Sequence, residues 1–267
     1  MDMLLDCASG SASFGGVMTW RLVRWGLGVL VLGAALSAAQ GQPLRVLTEE
    51  FPPYNYTEAG QITGFSTEVV RATLAEAKLQ GDFQSLPWAR AYATAQSDPD
   101  VLIYSIGRTA QREKLFKWVG VIAPTQYYLF SLPQRNLKLQ RLEDAKEYQI
   151  ATVNEDVGEQ YLISKGFSKG QNLQSSVKYE LNYEKLKRHR VDLWIMSELT
   201  AAFLVRQAGD DPTTMLARSL AINDLGGDGY YMAFSLNTPD ALVERMRKAL
   251  AAIKRNGTYD MLRKKWL

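Results

Sequence analysis

The sequence predicts an α/β protein made of two successive units of strands and helices. Short apolar runs of strand length alternate along the chain with segments of helical periodicity. One such run, Val101–Ser105, is apolar at consecutive positions between turn signals, which is typical of a strand buried on both faces of a parallel sheet. A second cycle of strands and helices starts after Pro133. This alternation favours two α/β units with right-handed crossovers.

In the first unit, two prolines in the segment 51–56 interrupt the chain, because proline fits neither a helix nor a central strand. Ser66 is expected to cap the following helix, and Gly81 to end it. The other predicted elements are a strand at 44–48, a hairpin framed by Gly60 and Gly64, a strand at 83–86, a helix at 89–96 and the buried strand at 101–105.

The second unit repeats the pattern and closes with helices. Its predicted elements are a strand at 148–153, a turn at 154–158 leading to a helix through 164, a helix at 183–188, a strand at 192–196, a helix at 198–207, a strand at 230–236, and helices at 239–255 and 258–266. His189 follows a predicted helix end. Because histidine tolerates left-handed backbone better than most residues, we expect a turn role for it rather than a catalytic one.

The N-terminus is typical of a secretory signal peptide. Arg21 and Arg24 precede an uncharged apolar stretch, 25–39, which ends in small residues and is too short to cross a bilayer as a helix. We expect cleavage near Gly41, so that residues 1–41 are removed, and Met18 is a candidate for the true start. The exported chain then has no cysteine for a lipid anchor and no later apolar run of spanning length. It is expected in the periplasm, without a membrane anchor.

Composition excludes several kinds of chemistry. The 267 residues include one cysteine, Cys7, and one histidine, His189. A zinc site needs three or four such ligands, and a disulfide within the chain needs two cysteines. The net charge of +3 is too small to predict a nucleic-acid partner. We expect no metal, no cofactor and no catalytic residue, and a binding site built from arginine, acids, aromatic rings and backbone groups.

The segment from Ser105 to Trp118 is the most informative one. It begins where the buried strand ends, and ligands of open α/β sheets bind beyond the carboxyl ends of strands. Arg112 and Arg108 follow there, and an arginine fork pairs with a carboxylate through two hydrogen bonds. The segment is therefore either an anion clamp or a solvated helix face with surface ion pairs.

Aromatic residues in loops after predicted strands offer a stacking wall for a ligand, or pack in the core. They are Phe51, Tyr54, Tyr56 and Trp88. Glu198, directly after the strand at 192–196, is either a contact for a cationic group or an ordinary acid in a first helical turn.

Several motifs now combine in order. They are Phe51-Pro-Pro-Tyr54, Gly64-Phe65, Gly107-Arg-Thr-x-x-Arg112-Glu, Arg190-Val-Asp192 and Asn256-Gly-Thr-Tyr-Asp…Lys265-Trp266. With the export signal, the set resembles the periplasmic solute-binding proteins of family 3, the polar amino-acid-binding type, over nearly the whole mature chain. The resemblance implies a two-lobed type II binding protein with two crossover strands, at 127–132 and 230–236, as its hinge.

On that pattern the first lobe comprises residues 42–130 and 233–267, and the second residues 131–232. The residues that the resemblance, together with the strand-end positions, assigns to the ligand are Arg112, Arg108, Ser105, Gly107, Trp88, Phe51, Thr48, Tyr54, Glu198 and Ser197. Arg112 matches the carboxylate-binding arginine of the family. The sequence departs from the amino-acid binders where Ser197 stands at the usual aspartate, where Asn-Glu-Asp-Val-Gly starts a helix in the second lobe, and in the additional Arg108.

The resemblance implies a monomer that captures a small carboxylate-bearing solute, such as an amino acid, and presents it to the permease of an ABC importer. Two alternatives stay open. One is a periplasmic dehydratase on the same fold, acting on prephenate-like cyclic acids, and the other is a sensory protein that presents its ligand to a receptor.

Overall fold

The computed structural model describes residues 43–267, which contain two five-stranded sheets. The expected signal segment 1–41, with Cys7 and the candidate start Met18, lies outside the described residues. A small hairpin, β2 (Tyr56–Glu58) and β3 (Gln61–Thr63), accompanies the two sheets.

The first sheet contains the strand that the sequence marks as buried. In spatial order its strands are β4 (Gly81–Ser85), β1 (Leu44–Thr48), β5 (Val101–Gly107), β12 (Tyr230–Ser235) and β6 (Phe116–Ala123). β1 runs parallel to β4 and β5, whereas β12 is antiparallel to β5 and β6. Every residue of β5 is buried, as its continuous apolar run predicts. The helices that pack with this sheet are α1 (Phe65–Glu76), α2 (Trp88–Ser97), α7 (Asp240–Arg255) and α8 (Thr258–Trp266).

The second sheet repeats the arrangement. Its strands in spatial order are β11 (Ala217–Ile222), β7 (Tyr127–Ser131), β10 (Leu193–Ser197), β8 (Ile150–Val153) and β9 (Leu173–Ser176). β8 runs parallel to β9 and β10, and β7 is antiparallel to β10 and β11. The helices that accompany it are α3 (Val157–Ser164), α4 (Tyr179–Lys187), α5 (Glu198–Gln207) and the short α6 (Pro212–Met215). We call each sheet with its helices a lobe, the first and the second.

The chain passes between the two sheets twice. It leaves the first sheet after Ala123 and enters the second at Tyr127, and it returns between Ile222 and Tyr230. The expected lobe boundary at 130/131 falls inside β7, and the one at 232/233 falls inside β12. Each of these strands is hydrogen-bonded to two strands of a single sheet, so the change of lobe occurs in the loops that precede them.

Two local expectations about the first helix differ from the structure. Ser66 does not cap α1, because Gly64, two residues earlier, is the N-cap and the buried Ser66 lies inside the helix. Gly81 begins β4 instead of ending the helix, which stops at Glu76. His189 adopts the left-handed conformation expected of it, with φ of 54°, and its N–H donates to the Leu186 carbonyl at 3.0 Å. Within residues 43–267, no helix has the length and apolar character needed to cross a membrane.

Candidate ligand-binding cleft

Arg112 occupies the region where the two lobes face each other. It follows β5 in a turn in which its N–H donates to the Thr109 carbonyl at 3.0 Å, and its side chain is completely buried. One N–H of each guanidinium nitrogen is used by the described chain. Nε donates to Gln160 Oε1 at 2.9 Å, Nη1 to the Gly107 carbonyl at 3.3 Å and Nη2 to the Glu155 carbonyl at 3.1 Å. Since a guanidinium has five N–H groups, one remains on each terminal nitrogen, the pair that a bidentate carboxylate requires.

Aromatic rings enclose this guanidinium. Its central carbon lies 4.8 Å from the ring centre of Tyr92 and 5.3 Å from that of Trp88, close enough for cation–π attraction. The two rings stack on each other with their centres 5.6 Å apart. Trp88 also reaches the second lobe, because its indole N–H donates to the Glu155 carbonyl at 2.6 Å. Burial lowers the pKa of Arg112, but an arginine starts so far above neutrality that it keeps its charge.

A cluster of rings forms the next part of the cleft, on both sides of it. Phe51 lies 5.5 Å from Tyr54, 4.9 Å from Tyr179 of the second lobe and 5.3 Å from Tyr230, measured between ring centres. The Tyr54 hydroxyl donates to the Pro124 carbonyl at 2.9 Å, and the hydroxyl of Tyr230 donates to that of Tyr127 at 2.7 Å. These hydroxyl groups are therefore already engaged, and the rings supply apolar surface.

Glu49 is a buried acid at the end of β1 that the sequence did not single out. Its Oε1 accepts a hydrogen bond from the Tyr179 hydroxyl at 3.2 Å. Burial raises the pKa of Glu49 well above its usual value, and the negative charge of Asp156 raises it further, against the opposing attraction of Arg112. Glu49 therefore belongs to the same electrostatic group as Arg112 and Asp156.

Asp156 is the corresponding acid of the second lobe. It is the N-cap of α3, where its Oδ1 accepts the Glu159 N–H at 2.6 Å. Burial raises the pKa of Asp156 to about 7, while its hydrogen bond from the Glu159 backbone and the charge of Arg112 act in the opposite direction. The cleft thus carries one buried cation and two buried carboxyl groups.

The structure brings most of the sequence-predicted residues to this region. The Gly107 carbonyl accepts a hydrogen bond from Nη1 of Arg112. Ser105 adopts a left-handed φ of 57°, and its hydroxyl donates to Asn55 Oδ1. Thr48 and Ser197 are both completely buried, and within the described residues their hydroxyl groups have no hydrogen-bond partner. Ser197 lies close to the hydroxyl groups of Tyr54 and Tyr230.

Arg108 is placed differently from the prediction. It makes a two-pronged ion pair with Glu113, at 2.8 and 2.6 Å, and lies over the rings of Trp118 and Tyr231. Its side chain is 39% exposed. Of its neighbours, Trp118 belongs to β6, Glu113 to the segment that precedes β6, and Tyr231 to β12. The turn after β5 therefore directs the two arginines to different surroundings.

Glu198 is also placed away from Arg112. As the first residue of α5 it forms an ion pair with Arg218 of β11, and it lines a separate cavity of about 600 Å³ together with Phe203, Arg206 and Trp266. Of the two readings that the sequence left open, the first-turn helix acid is the one this position supports.

The residues that sequence reasoning missed share one property. Glu49, Asp156 and Tyr179 are polar residues beside predicted loops or helix starts, which normally lie at the surface. They are buried because the two lobes meet over them. One signal was present in the sequence, since Glu49 directly follows the strand at 44–48, at the carboxyl end where open sheets bind ligands. Among the described residues, no cluster of acidic, histidine or cysteine side chains is arranged to hold a metal ion.

The two lobes, with a charged cleft between them, define the class of extracellular solute-binding proteins. The profile of the bacterial extracellular solute-binding proteins, family 3, matches residues 44–267, and the chain belongs to this family. It is 24% identical over 240 residues to an arginine-binding periplasmic protein of Mannheimia haemolytica, covering 89% of this chain and 96% of that protein. It is 22% identical over 223 residues to the arginine-binding extracellular protein ArtP of Bacillus subtilis (strain 168), covering 81% and 82%.

Solved structures share the fold. An ancestral arginine-binding protein bound to arginine superposes with a TM-score of 0.74 at 22% identity, covering 85% of this chain and 99% of that one. The arginine-, lysine-, histidine-binding protein ArtJ of Geobacillus stearothermophilus superposes with a TM-score of 0.69 at 21% identity, covering 85% of this chain and 95% of that one. A histidine kinase sensor domain superposes with a TM-score of 0.76 at 18% identity, covering 85% of this chain and 97% of that one. The fold is that of the type II periplasmic binding proteins.

Proposed function

We propose that this solute-binding protein captures an amino acid with a cationic side chain, and that L-arginine is the first ligand to test. The observation that carries the proposal is the charge pattern of the cleft. Arg112 retains one N–H on each terminal nitrogen, and two buried carboxyl groups, Glu49 and Asp156, belong to the same electrostatic group. A ligand that carries one carboxylate, an α-ammonium group and a cationic side chain complements this pattern. A dicarboxylate does not.

In this arrangement the ligand carboxylate pairs with Arg112, and its cationic groups lie near Glu49 and Asp156. The rings of Phe51, Tyr179 and Trp88 pack against its aliphatic body. Because Ser197 is uncharged, recognition of positive charge falls on the two carboxyl groups. The arginine-binding relatives support the same ligand class.

The wider role follows from the family. We propose that the protein is exported to the periplasm, acts as a monomer and delivers its ligand to the permease of an ABC importer, without catalysing a reaction. The two lobes, as defined by their sheets, move about the two connecting segments at 124–126 and 223–229 to open and close the cleft, the hinge motion used by such proteins.

Isothermal titration with four matched ligands tests the ligand class. L-Arginine carries every proposed group, agmatine lacks the carboxylate, L-norleucine lacks the side-chain cation, and L-glutamate reverses the side-chain charge. We expect saturable binding of L-arginine and at least ~10-fold weaker binding of the other three, which corresponds to ~1.4 kcal/mol for each lost group. Equal affinity for L-norleucine and L-arginine, or no binding of L-arginine at all, contradicts the proposal.

A further inference from the structure

The loop between β8 and α3 carries one carbonyl group that contacts the opposite lobe twice. The carbonyl oxygen of Glu155 accepts the indole N–H of Trp88 at 2.6 Å and Nη2 of Arg112 at 3.1 Å. Both donors belong to the first lobe, and Glu155 belongs to the second. A single backbone acceptor therefore joins the two lobes directly beside the proposed ligand.

This carbonyl is aimed by an unusual backbone conformation. Glu155 has a φ of 60°, in the left-handed region that side-chain-bearing residues rarely adopt. Such a conformation persists only where the surrounding structure holds it. The peptide unit that contains the carbonyl is fixed on its other side, because the Asp156 N–H donates to the Val153 carbonyl at 3.1 Å.

The preceding peptide unit is held by Glu159, a completely buried residue of α3. Its Oε1 accepts the Glu155 N–H at 3.0 Å and lies 2.7 Å from Nζ of Lys169. Its Oε2 accepts the hydroxyl hydrogen of Thr152 at 2.7 Å and that of Ser175. Burial alone raises the pKa of Glu159, but the hydrogen bonds from Lys169 and Ser175 outweigh it, so the net pKa is lowered and the carboxylate is charged.

We propose that Glu159 is a positioning residue, which holds the Glu155 carbonyl as a clasp that closes the two lobes through Trp88 and Arg112. Glu159 itself contacts neither lobe-one donor. It acts through the backbone of Glu155, and through that carbonyl it also sets the position of the Arg112 guanidinium. This inference deepens the proposed function, because it concerns the closure of the same cleft.

Lobe separation tests the clasp without any ligand. With Cys7 replaced by Ser, the chain has no other cysteine, so Ala93→Cys on α2 and Arg188→Cys after α4 provide one exposed labelling site on each lobe for energy-transfer measurements. Glu159→Leu removes the positioning carboxylate, and Trp88→Phe removes one donor but keeps a ring. We expect both variants to shift the distance distribution from closed toward open. Glu147→Leu, at an exposed acid of the second lobe, is the matched control and should not shift it.

Two further variants separate positioning from simple stabilisation. Glu155→Gly keeps the carbonyl, and glycine adopts the left-handed backbone without steric cost. The lobes of this variant should therefore close at least as completely as those of the parent chain. Glu159→Gln keeps an acceptor for the Glu155 N–H and should retain most of the closure, which also covers the case in which Glu159→Leu fails to fold. The clasp is overturned if Glu159→Leu or Trp88→Phe lowers the melting temperature yet leaves the distance distribution unchanged. It is also overturned if Glu155→Gly opens the lobes.

The same labelled proteins keep this proposal distinct from the ligand proposal. Titration with L-arginine should close the open variants, with an affinity at least ~10-fold below that of the parent, because the competent population is smaller. If L-arginine does not bind the parent chain, the ligand proposal fails while the ligand-free distances still decide the clasp.

Discussion

The hydroxyl group of Tyr179, in the second lobe, donates a hydrogen bond to the carboxyl group of Glu49, in the first lobe, over 3.2 Å. Glu49 directly follows β1 and Tyr179 begins α4, so neither lobe alone forms this contact. Closure of the lobes therefore buries an acid that each open lobe would leave in water. The protonation of Glu49 and the closure of the lobes are consequently linked, and the proposed cationic ligand would be linked to both.

The first prediction concerns Glu49→Gln. The amide keeps an oxygen acceptor for Tyr179 but carries no charge, so the proposed cation loses its partner at nearly unchanged shape. We expect the affinity for L-arginine to fall at least ~10-fold, with a melting temperature equal to or above that of the parent, because a buried carboxyl no longer has to be desolvated. Isothermal titration and thermal unfolding measure the two effects. Glu58→Gln, at an exposed hairpin position, is the control, and unchanged affinity in Glu49→Gln would rule out its role in charge recognition.

The second prediction is a loss of stability as the pH rises. In the folded protein the pKa of Asp156 is raised to about 7, against ~3.9 in an unfolded chain, so between these values the folded state holds a proton that the unfolded state has released. The free energy of unfolding should therefore fall from about pH 4 to about pH 7, by up to ~4 kcal/mol for this group. Glu49, whose pKa is also raised, acts in the same direction.

Urea unfolding at pH 4.5 and pH 7.5 measures this change. Asp156→Asn is the informative variant, because asparagine caps a helix about as well as aspartate but does not titrate. The variant should lose a large part of the pH dependence and keep the stability measured at pH 4.5. A free energy of unfolding that is flat or rises over this range in the parent chain would contradict the assignment.

The third prediction separates two arginines that the sequence alone could not. Arg112→Met removes the buried fork and should lower the affinity for L-arginine at least ~100-fold, or ~2.7 kcal/mol. Arg108→Met removes a partly exposed ion pair with Glu113 and should leave the affinity within about twofold, with little loss of stability, because exposed ion pairs are screened by solvent. Titration and urea unfolding of the two variants side by side give both quantities. Equal losses of affinity would show that Arg108 does reach the ligand.

These two arginines also show where sequence-based inference ends. The strand that precedes them was predictable, because a continuous apolar run between turn signals has few alternatives in an α/β chain. The separate surroundings of the two arginines were not predictable, because the turn after β5 and the pairing of β6 with β12 decide where each side chain points. β6 itself escaped prediction, since the charged residues that precede it and Lys117 within it are typical of a solvated helix face.

The acids of the cleft were missed for a related reason. A lone glutamate after a strand, or an aspartate at a helix start, is normally solvated, and only the meeting of two lobes buries it. Local pattern therefore identified α5 with its bounds and the turn at 154–158 that leads into α3. The electrostatic character of the cleft, in contrast, depends on contacts between residues more than a hundred positions apart.

The fourth prediction uses Gly107, the last residue of β5. A Cβ atom at this position would lie 2.9 Å from Cγ2 and 3.2 Å from Cβ of Val157, the first residue of α3 in the other lobe. The first of these distances is shorter than real Cβ contacts show, and the second is tight. Gly107→Ala should therefore hold the lobes apart, and the labelled pair at positions 93 and 188 should report a larger ligand-free distance. Val157→Ala removes Cγ2, the atom in closest contact, and Cγ1, but keeps Cβ, so the double variant should recover most of the closed distance. If Gly107→Ala closes normally, or if Val157→Ala does not rescue it, the close approach of the lobes at this point does not limit closure.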